Sequence, residues 1–258
     1  MLSGMDLRLI EDPVPRDGAE NLATDIQLLD KAADAPGTAL TLRFYRWRPT
    51  LSLGHFQRET SIPAGFSNHD GSPAIVRRPS GGGAIVHDDE WTYSLVLPPD
   101  IDGRRRMPVT ETGGAAESAM EWVWRLHRAT AEMLQREYGV DARLAAEIVP
   151  VDEFPSQPDG AEPFLCFERR APEDVVVADE MRRYVKILGS AMRLRRAAIL
   201  LHGSLLVRRS RHAPQLPGLA DLLPRLDTAP PNFDRQLLAH WRDAIMGNPG
   251  RTVPVSMM

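Results

Sequence analysis

The sequence has one cysteine, Cys166, among its 258 residues. An internal disulfide therefore cannot form, and a single thiol is typical of a protein in a reducing compartment. Hydrophobic runs are short as well, since none approaches the ~18 apolar residues that a membrane-spanning helix needs. Residues 1–8 are interrupted by charge and contain no apolar signal segment. We therefore expect a cytoplasmic protein that does not enter a membrane.

An excess of positive charge is also lacking. The 31 lysines and arginines face 35 aspartates and glutamates, which gives a net charge of −4. Proteins that hold the phosphate backbone of nucleic acids generally need a basic surplus, so nucleic-acid binding is not expected. The remaining composition, with 43% hydrophobic and 26% charged residues, is ordinary for a globular protein with a sizeable core.

Hydrophobic periodicity predicts more strands than helices. Helical spacing is found near residues 22–29, 115–138 and 234–245. Strand patterns are found at residues 40–47, 51–53, 74–77, 84–86, 93–97, 147–151, 174–177, 184–188, 198–201 and 205–207, and loops are predicted at 101–112 and 155–163. Because strands and helices do not alternate regularly, we predict an α+β fold. No long linker interrupts the chain, so we expect a single domain over residues 1–258.

The first chemical signal is Cys166 together with Lys186. A lone cysteine is most often a small buried hydrophobe, and a strand lysine is most often solvated. A thiol, an amine and glycine turns predicted at Gly189 and Gly203 nevertheless suit acyl-group chemistry. The thiolate is the nucleophilic form of cysteine, and a neighbouring cation such as Lys186 favours it.

The second chemical signal is the glycine triplet 81–83, which follows Arg77, Arg78 and Ser80. Glycines permit positive φ angles and let a ligand approach the backbone, whose N–H groups can face an anion or a developing oxyanion. The pattern is neither a phosphate-binding loop, because no Gly-Lys-Ser/Thr follows, nor a dinucleotide-binding fingerprint. The alternative is a plain hairpin loop with an exposed arginine pair.

Two histidines lie near these motifs, His87 and His202. The common role of such a residue is a hydrogen-bonded core histidine. A hydrolase built on Ser80, His87 and Asp88 is disfavoured, because the sequence has no Gly-x-Ser-x-Gly elbow. His87 and Asp88 alone are too small a cluster for a metal site, so no bound metal is predicted.

Together these motifs resemble those of the biotin/lipoate protein ligase and transferase family. The resemblance rests on Arg-Arg-x-Ser-Gly-Gly-Gly at 77–83, Lys-x-x-Gly-Ser-Ala at 186–191 and His-Gly-Ser at 202–204, and it covers most of the chain. It implies one catalytic domain of the class II synthetase-like fold, with a mixed, mainly antiparallel sheet flanked by helices. It also implies that the substrate is bordered by Arg78, Ser80, Gly81, Gly82, Gly83, His87, Gly189, Ser190, Ala191 and His202.

Members of this family catalyse different reactions, and Cys166 is the residue that discriminates between them. The segment from Cys166 through Pro172 resembles that of octanoyltransferases of the LipM type. This resemblance implies that Cys166 and Lys186 are catalytic and that no cofactor is needed. The implied reaction belongs to lipoate biosynthesis. It moves an octanoyl group from acyl carrier protein to a lysine of a 2-oxoacid dehydrogenase lipoyl domain or of the glycine-cleavage H protein.

Three alternatives remain open on the sequence alone. One is lipoate–protein ligation, which would use ATP and magnesium. Another is cysteine-dependent amidotransfer of octanoyl or lipoyl groups between carrier domains. The third is a module that binds acyl carrier or lipoyl domains without catalysis, against which the intact pair of Cys166 and Lys186 argues.

Overall fold

The computed structural model describes residues 6–34, 39–66, 71–99, 114–149, 163–223 and 232–247. These residues contain ten strands and four α-helices. The strands are β1 (Leu7–Arg16), β2 (Leu40–Trp47), β3 (Thr50–Leu53), β4 (Ala74–Arg77), β5 (Ile85–His87), β6 (Glu90–Leu97), β7 (Ala142–Leu144), β8 (Val175–Ala178), β9 (Tyr184–Arg195) and β10 (Ala198–Leu206). The helices are α1 (Gly18–Asp34), α2 (Gly114–Tyr138), α3 (Leu219–Leu222) and α4 (Phe233–Met246).

Two sheets organise the described strands. The large sheet has the order β1-β2-β6-β10-β9-β8-β7, in which β1 and β2 are parallel and every other neighbouring pair is antiparallel. The small sheet has the order β4-β3-β5, with β3 parallel to β4 and antiparallel to β5. The predicted α+β fold with a mixed, mainly antiparallel sheet is confirmed.

Helices cover both faces of the large sheet. Successive strand residues point to opposite faces, so each central strand contributes to two apolar layers. Val96 of β6 and Leu200 of β10 pack with Leu29 of α1. Their neighbours Leu95 and Leu201 belong to the main core, which contains the buried residues of α2 and α4. Strands β6 and β10 are consequently buried along their whole length.

Most of the predicted elements are confirmed, but one strand prediction is wrong. The described part of the strand predicted at 147–151 is not extended, because residues 145–147 form a 3₁₀ turn that follows β7. Local hydrogen bonds explain this turn: Ile148 N donates to Ala145 O at 3.1 Å, and Leu144 N donates to Glu147 Oε2 at 3.3 Å. Such local bonds compete with strand pairing.

Two further corrections concern glycines. The strands predicted at 198–201 and 205–207 are a single strand, β10, and the turns predicted at Gly189 and Gly203 lie inside β9 and β10. Gly203 pairs with Ser190 across the two strands. A Cβ atom on Gly203 would lie 2.3 Å from Ser190 Oγ and 2.6 Å from a ring carbon of Tyr93, so the glycine makes room for neighbouring side chains.

Other elements were missed from the sequence or lie outside the described residues. Strand β1 was not predicted from the sequence. The loop predicted at 101–112 and residues 155–162 of the second predicted loop lie outside the described residues. The single domain over residues 1–258 stays a prediction. No helix in the described part of the chain is long and apolar enough to cross a membrane.

Candidate active site

Cys166 begins a short 3₁₀ turn that lies directly on the glycine triplet. Cys166 N donates to Ala84 O at 2.8 Å, and Ala84 N donates to Phe164 O at 2.8 Å. A Cβ atom on Gly83 would lie 2.8 Å from Cys166 N and 3.0 Å from Phe164 O. Glycine at position 83 therefore permits a backbone-to-backbone approach that fixes the half-buried Cys166.

The loop after β3 holds the same segment from another side. Gln57 donates from Nε2 to Phe164 O at 3.1 Å, while its Oε1 accepts from Gly54 N at 2.9 Å. A Cβ atom on Gly54 would lie 2.0 Å from Gly82 O, so this loop also packs on the triplet. Three chain segments thus form one packed unit around Cys166.

Lys186 is brought to Cys166 by a β-bulge in β9. Val175 and Val176 of β8 pair with Leu188 and Lys186, which leaves one additional residue in β9 between the two pairs. Such a bulge redirects the side chains of its strand. Lys186 Nζ lies 2.8 Å from Asp174 Oδ2 and 3.4 Å from the carbonyl oxygen of Cys166.

The charge of Lys186 is fixed by this arrangement. Burial lowers the pKa of Lys186, but the attraction of Cys166 and Asp174 outweighs burial and raises the pKa above its ordinary value. Burial raises the pKa of Asp174, and Lys186 opposes that rise. Lys186 is therefore an ammonium group at neutral pH, as the stabilisation of a thiolate requires.

Cys166 opens into a cavity of about 390 Å³, part of which is continuous with solvent. Its apolar lining includes Leu22, Trp47 and Ile85. The lining contains seven of the residues proposed from the sequence, namely Arg78, His87, Cys166, Gly189, Ser190, Ala191 and His202. The other five, Ser80, Gly81, Gly82, Gly83 and Lys186, lie outside the lining.

Arg78 organises the glycine triplet. Its side chain is buried and donates to the carbonyl oxygens of Ser52 at 2.9 Å, Gly81 at 2.8 Å and Gly83 at 2.5 Å. Gly82 has a φ angle of +89°, a left-handed conformation that favours glycine. Burial lowers the pKa of Arg78 to about 10, and the charge of Cys166 opposes that decrease. Arg78 is therefore cationic at neutral pH and faces both the triplet and the cavity.

His87 is locked by three contacts. Its ring stacks on Trp47 at a centroid distance of 3.9 Å, its Nε2 lies 2.7 Å from Ser52 Oγ, and its Nδ1 lies 2.5 Å from Glu90 Oε1. The order Ser52, His87, Glu90 resembles a hydrolase triad. Ser52 is fully buried and lies outside the cavity lining, so it cannot reach a substrate there.

The triad considered from the sequence is not assembled. Ser80 Oγ is hydrogen-bonded to His202 Nε2, and Asp88 Oδ2 accepts from Ser210 Oγ at 2.9 Å. Burial lowers the pKa of His202 to about 3, and the charges of Arg78 and His87 act in the same direction. His202 is therefore neutral at neutral pH. Among the residues that the structure describes, no group of three His, Cys, Asp or Glu side chains is arranged to hold a metal ion.

Sequence reasoning missed three residues of this site. Asp174, directly before the apolar run of β8, could have been found as a carboxylate at the start of a buried strand. His127 of α2 and Tyr93 of β6 both contact Ser190 Oγ, at 2.6 and 2.7 Å. A single histidine on the apolar face of a helix gives no chemical signal, because most such histidines are structural.

The sequence is similar to several curated octanoyltransferases. It is 34% identical to octanoyltransferase LipM of Kyrpidia tusciae over 198 residues, which cover 73% of this chain and 62% of the relative. It is 32% identical to octanoyltransferase LipM of Oceanobacillus iheyensis over 196 residues, which cover 74% of this chain and 60% of that relative. The chain thus spans about three fifths of the length of the curated relatives it matches.

Solved structures of similar fold include protein Ta0514 of T. acidophilum, a lipoate protein ligase candidate with bound lipoic acid. It matches with a TM-score of 0.62 and 20% identity, over 94% of this chain and 86% of that one. Lipoate-protein ligase A bound with ATP matches with a TM-score of 0.60 and 19% identity, over the same shares of the two chains. These matches confirm the predicted fold of the ligase type. The sequence profile of the lipoyl protein ligase A/B catalytic domain matches residues 17–214, and the chain belongs to that family.

Proposed function

We propose that the protein is an octanoyltransferase of lipoate biosynthesis, which carries the octanoyl group as a thioester on Cys166. The observation that carries this proposal is the position of the one thiol. Cys166 lines the cavity, and the buried ammonium of Lys186 lies 3.4 Å from its carbonyl oxygen. Similarity to the LipM octanoyltransferases supports the same reaction.

The first half-reaction loads the enzyme. The Cys166 thiolate attacks the thioester carbonyl of octanoyl acyl carrier protein, a new carbon–sulfur bond forms, and the bond to the pantetheine sulfur breaks. The leaving thiolate takes up the proton that the Cys166 thiol released. The ammonium of Lys186 stabilises the attacking thiolate.

The second half-reaction transfers the group to protein. The neutral amine of an acceptor lysine attacks the octanoyl carbonyl, an amide bond forms, and the bond to the Cys166 sulfur breaks. The proton lost by the amine restores the thiol. Lys186 stabilises the departing thiolate, so its charge favours both half-reactions.

The cavity suits an aliphatic acyl chain. Its side chains Leu22, Trp47 and Ile85 offer apolar contact, and Arg78 adds a charged group to the lining. Lys186 lies outside the lining, with Nζ 3.4 Å from Cys166 O. Burial of apolar surface contributes ~25 cal/mol per Å², so an octanoyl chain gains affinity from this wall. A thioester is already activated, and the reaction needs neither ATP nor magnesium.

The partners follow from the same reaction. The donor is acyl carrier protein, and the acceptor is a lipoyl domain of a 2-oxoacid dehydrogenase or the glycine-cleavage H protein. The whole chain acts as one catalytic domain in the cytoplasm. These assignments rest on the proposed transfer.

The experiment supplies two donor sets to the wild-type protein and an apo lipoyl domain. One set is octanoyl acyl carrier protein without nucleotide, and the other is free octanoate with ATP and magnesium. We expect acceptor modification from the first set, and its loss in a folded Cys166→Ser protein. Modification from the second set only would identify a ligase. If neither set modifies the acceptor but the lipoyl domain still binds, the protein is a non-catalytic module.

An octanoylated H protein offered as the donor separates transfer from amidotransfer. We expect the carrier-protein thioester to be the better donor, because a thioester carbonyl is more reactive than an amide carbonyl. Faster transfer from the octanoylated H protein would instead identify an amidotransferase.

A further inference from the structure

The cavity into which Cys166 opens has an accessible end and a closed end. At the accessible end, Cys166 and Ala191 are half-buried. At the other end, the lining residues Trp47, His87 and Thr92 are only 3%, 3% and 2% exposed. Solvent and substrate therefore enter beside the thiol, and the cavity ends at Trp47.

One side of the cavity is a row of residues across the large sheet. Gly189 of β9 pairs with Ser204 of β10, Ser204 pairs with Thr92 of β6, and all three line the cavity. The row begins at the glycine against which Lys186 packs, and it ends where Trp47 Nε1 donates to Thr92 Oγ1 at 2.9 Å. Neighbouring strands lie about 4.8 Å apart, so the row spans about 10 Å from β9 to β6.

Strand β5 covers the same distance on the opposite side of the cavity. Ala84, directly before β5, accepts from Cys166 N at 2.8 Å. His87, the last residue of β5, stacks on Trp47 at a centroid distance of 3.9 Å and an interplanar angle of 12°. A strand rises about 3.3 Å per residue, so the backbone advances about 10 Å from the Cys166 contact to the Trp47 contact. Two independent parts of the fold thus give the cavity the same length.

The polar groups of the closed end bond to one another. Glu90 Oε1 accepts from Thr92 Oγ1 at 2.8 Å and from Ser204 Oγ at 3.0 Å. Thr92 Oγ1 in turn accepts from the indole of Trp47, and His87 Nδ1 lies on the same Glu90 oxygen. An apolar chain that reaches this end leaves none of these groups unsatisfied, and the indole is held in place.

We propose that Trp47 is the end wall that selects the length of the acyl chain, and that eight carbons is the longest chain that fits. An extended octanoyl group measures about 8–9 Å from its carbonyl carbon to its terminal methyl group, at about 1.2 Å per bond. Two more methylene groups would drive the chain into the indole. This inference rests on the proposed transfer and deepens it by naming the residue that sets the substrate class. Trp47 takes no part in the bond changes at Cys166.

The test compares chain lengths in the loading step alone. Hexanoyl, octanoyl and decanoyl acyl carrier proteins are each mixed with wild type, Trp47→Phe and Leu22→Phe, and the acylation of Cys166 is followed by intact mass in single turnovers. Trp47→Phe shortens the end wall. Leu22→Phe fills the same end, because Leu22 of α1 packs on Trp47 and lines the cavity.

Each variant has a matched control outside the cavity lining. Trp241→Phe alters another buried tryptophan whose indole donates to a threonine hydroxyl, that of Thr130 at 2.8 Å, in the main core. Leu29→Phe makes the same enlargement in the same helix, where Leu29 packs on Val96 and Leu200. Circular dichroism and melting temperature establish that each protein is folded.

We expect wild type to load octanoyl at least about tenfold faster than decanoyl, since misfit of even one methylene in an apolar pocket costs roughly 10–200-fold. Trp47→Phe should load decanoyl at least as fast as octanoyl, because its smaller ring leaves space in the wall. Leu22→Phe should shift the preference the other way, to hexanoyl. Both controls should keep the wild-type order.

Several results would overturn the inference. Wild type that loads decanoyl as fast as octanoyl has no such wall. A folded Trp47→Phe that keeps the wild-type order, or that loses all three donors equally, makes Trp47 a structural residue. If Trp47→Phe does not fold, Leu22→Phe decides, and an unchanged order there refutes the inference. Failure of wild type to load any donor is a different result, because it refutes the proposed function itself.

Discussion

Lys186 and Asp174 form a buried ion pair beside the cavity, with Nζ 2.8 Å from Oδ2 and side-chain exposures of 5% and 3%. An isolated buried charge costs several kcal/mol, so each group needs the other. The bulge in β9 orients Lys186, and the missing side chain of Gly189 leaves space for it, since a Cβ atom there would lie 2.5 Å from Lys186 Cε. The fold therefore holds a fixed cation next to the only thiol.

Lys186→Ala should slow the alkylation of Cys166 by iodoacetamide around neutral pH, because the thiolate loses its neighbouring cation. Higher pH should restore much of the rate, since hydroxide then generates the thiolate. The matched control is Lys31→Ala, which alters an exposed lysine of α1. Identical pH profiles of alkylation in wild type and Lys186→Ala would exclude thiolate stabilisation.

Gly189→Ala should reproduce much of the Lys186→Ala effect without removing the amine. The added methyl group would occupy the position of Lys186 Cε and Nζ, and the flexible lysine would have to move away from Asp174. We expect single-turnover loading to slow at least about fivefold, corresponding to ~1 kcal/mol in the barrier. Unchanged loading, with a melting temperature equal to that of wild type, would contradict this use of the glycine.

Gly83→Ala should displace the segment that carries Cys166. Its methyl group would lie 2.8 Å from Cys166 N, and backbone atoms cannot yield as a flexible side chain does. We expect a loss of about 1–3 kcal/mol in the free energy of unfolding, the usual cost of overpacking, together with slower loading. Gly81→Ala is the control, because nothing lies within 4 Å of its new methyl group. Equal effects of the two substitutions would refute the close approach.

Stability should fall below about pH 6.5, partly because of His202. Its pKa is lowered from 6.5 to about 3 in the folded protein, mainly by burial, so between these values the unfolded chain binds more protons. The stabilisation is complete above pH 6.5 and is lost as the pH falls towards 3. At about 1.4 kcal/mol per pH unit, His202 removes about 2 kcal/mol at pH 5.

Denaturant titrations at pH 7 and pH 5 measure this effect. The loss of unfolding free energy between the two pH values should be about 2 kcal/mol smaller in His202→Gln than in wild type. His55→Gln is the control, because His55 is exposed. An equal loss in wild type and His202→Gln would show that His202 is not the source.

Hydrophobic periodicity predicted the strands in the helix-covered part of the large sheet, but it did not predict the edge strand β1. Strand β1 contains Pro13 and Pro15 and lies at the edge of the large sheet, where a missing N–H is tolerated. Prolines and weak alternation hid it. Strand β10 looked like two strands because Gly203 resembles a break, although that glycine accommodates Ser190 and Tyr93 from neighbouring strands.

The motifs identified most of the cavity lining, but not the buried contacts behind it. The contact between His127 and Ser190 joins positions 63 residues apart, and only the packing of α2 against the sheet creates it. The glycine triplet was predicted to contact substrate. In the structure it supports the backbone of Cys166 and Phe164 and is ordered by Arg78. Tertiary contacts of this kind leave no local pattern in a sequence.

The most direct test of the account is the intact mass of the protein after brief exposure to octanoyl acyl carrier protein without ATP. Cys166 is the only cysteine in the sequence, so a thioester has one possible position. We predict one octanoyl group on Cys166, removed by hydroxylamine and by an apo lipoyl domain at a rate no slower than turnover. The account is contradicted if the acceptor becomes octanoylated while wild-type Cys166 never carries the group, or if Cys166→Ser transfers normally.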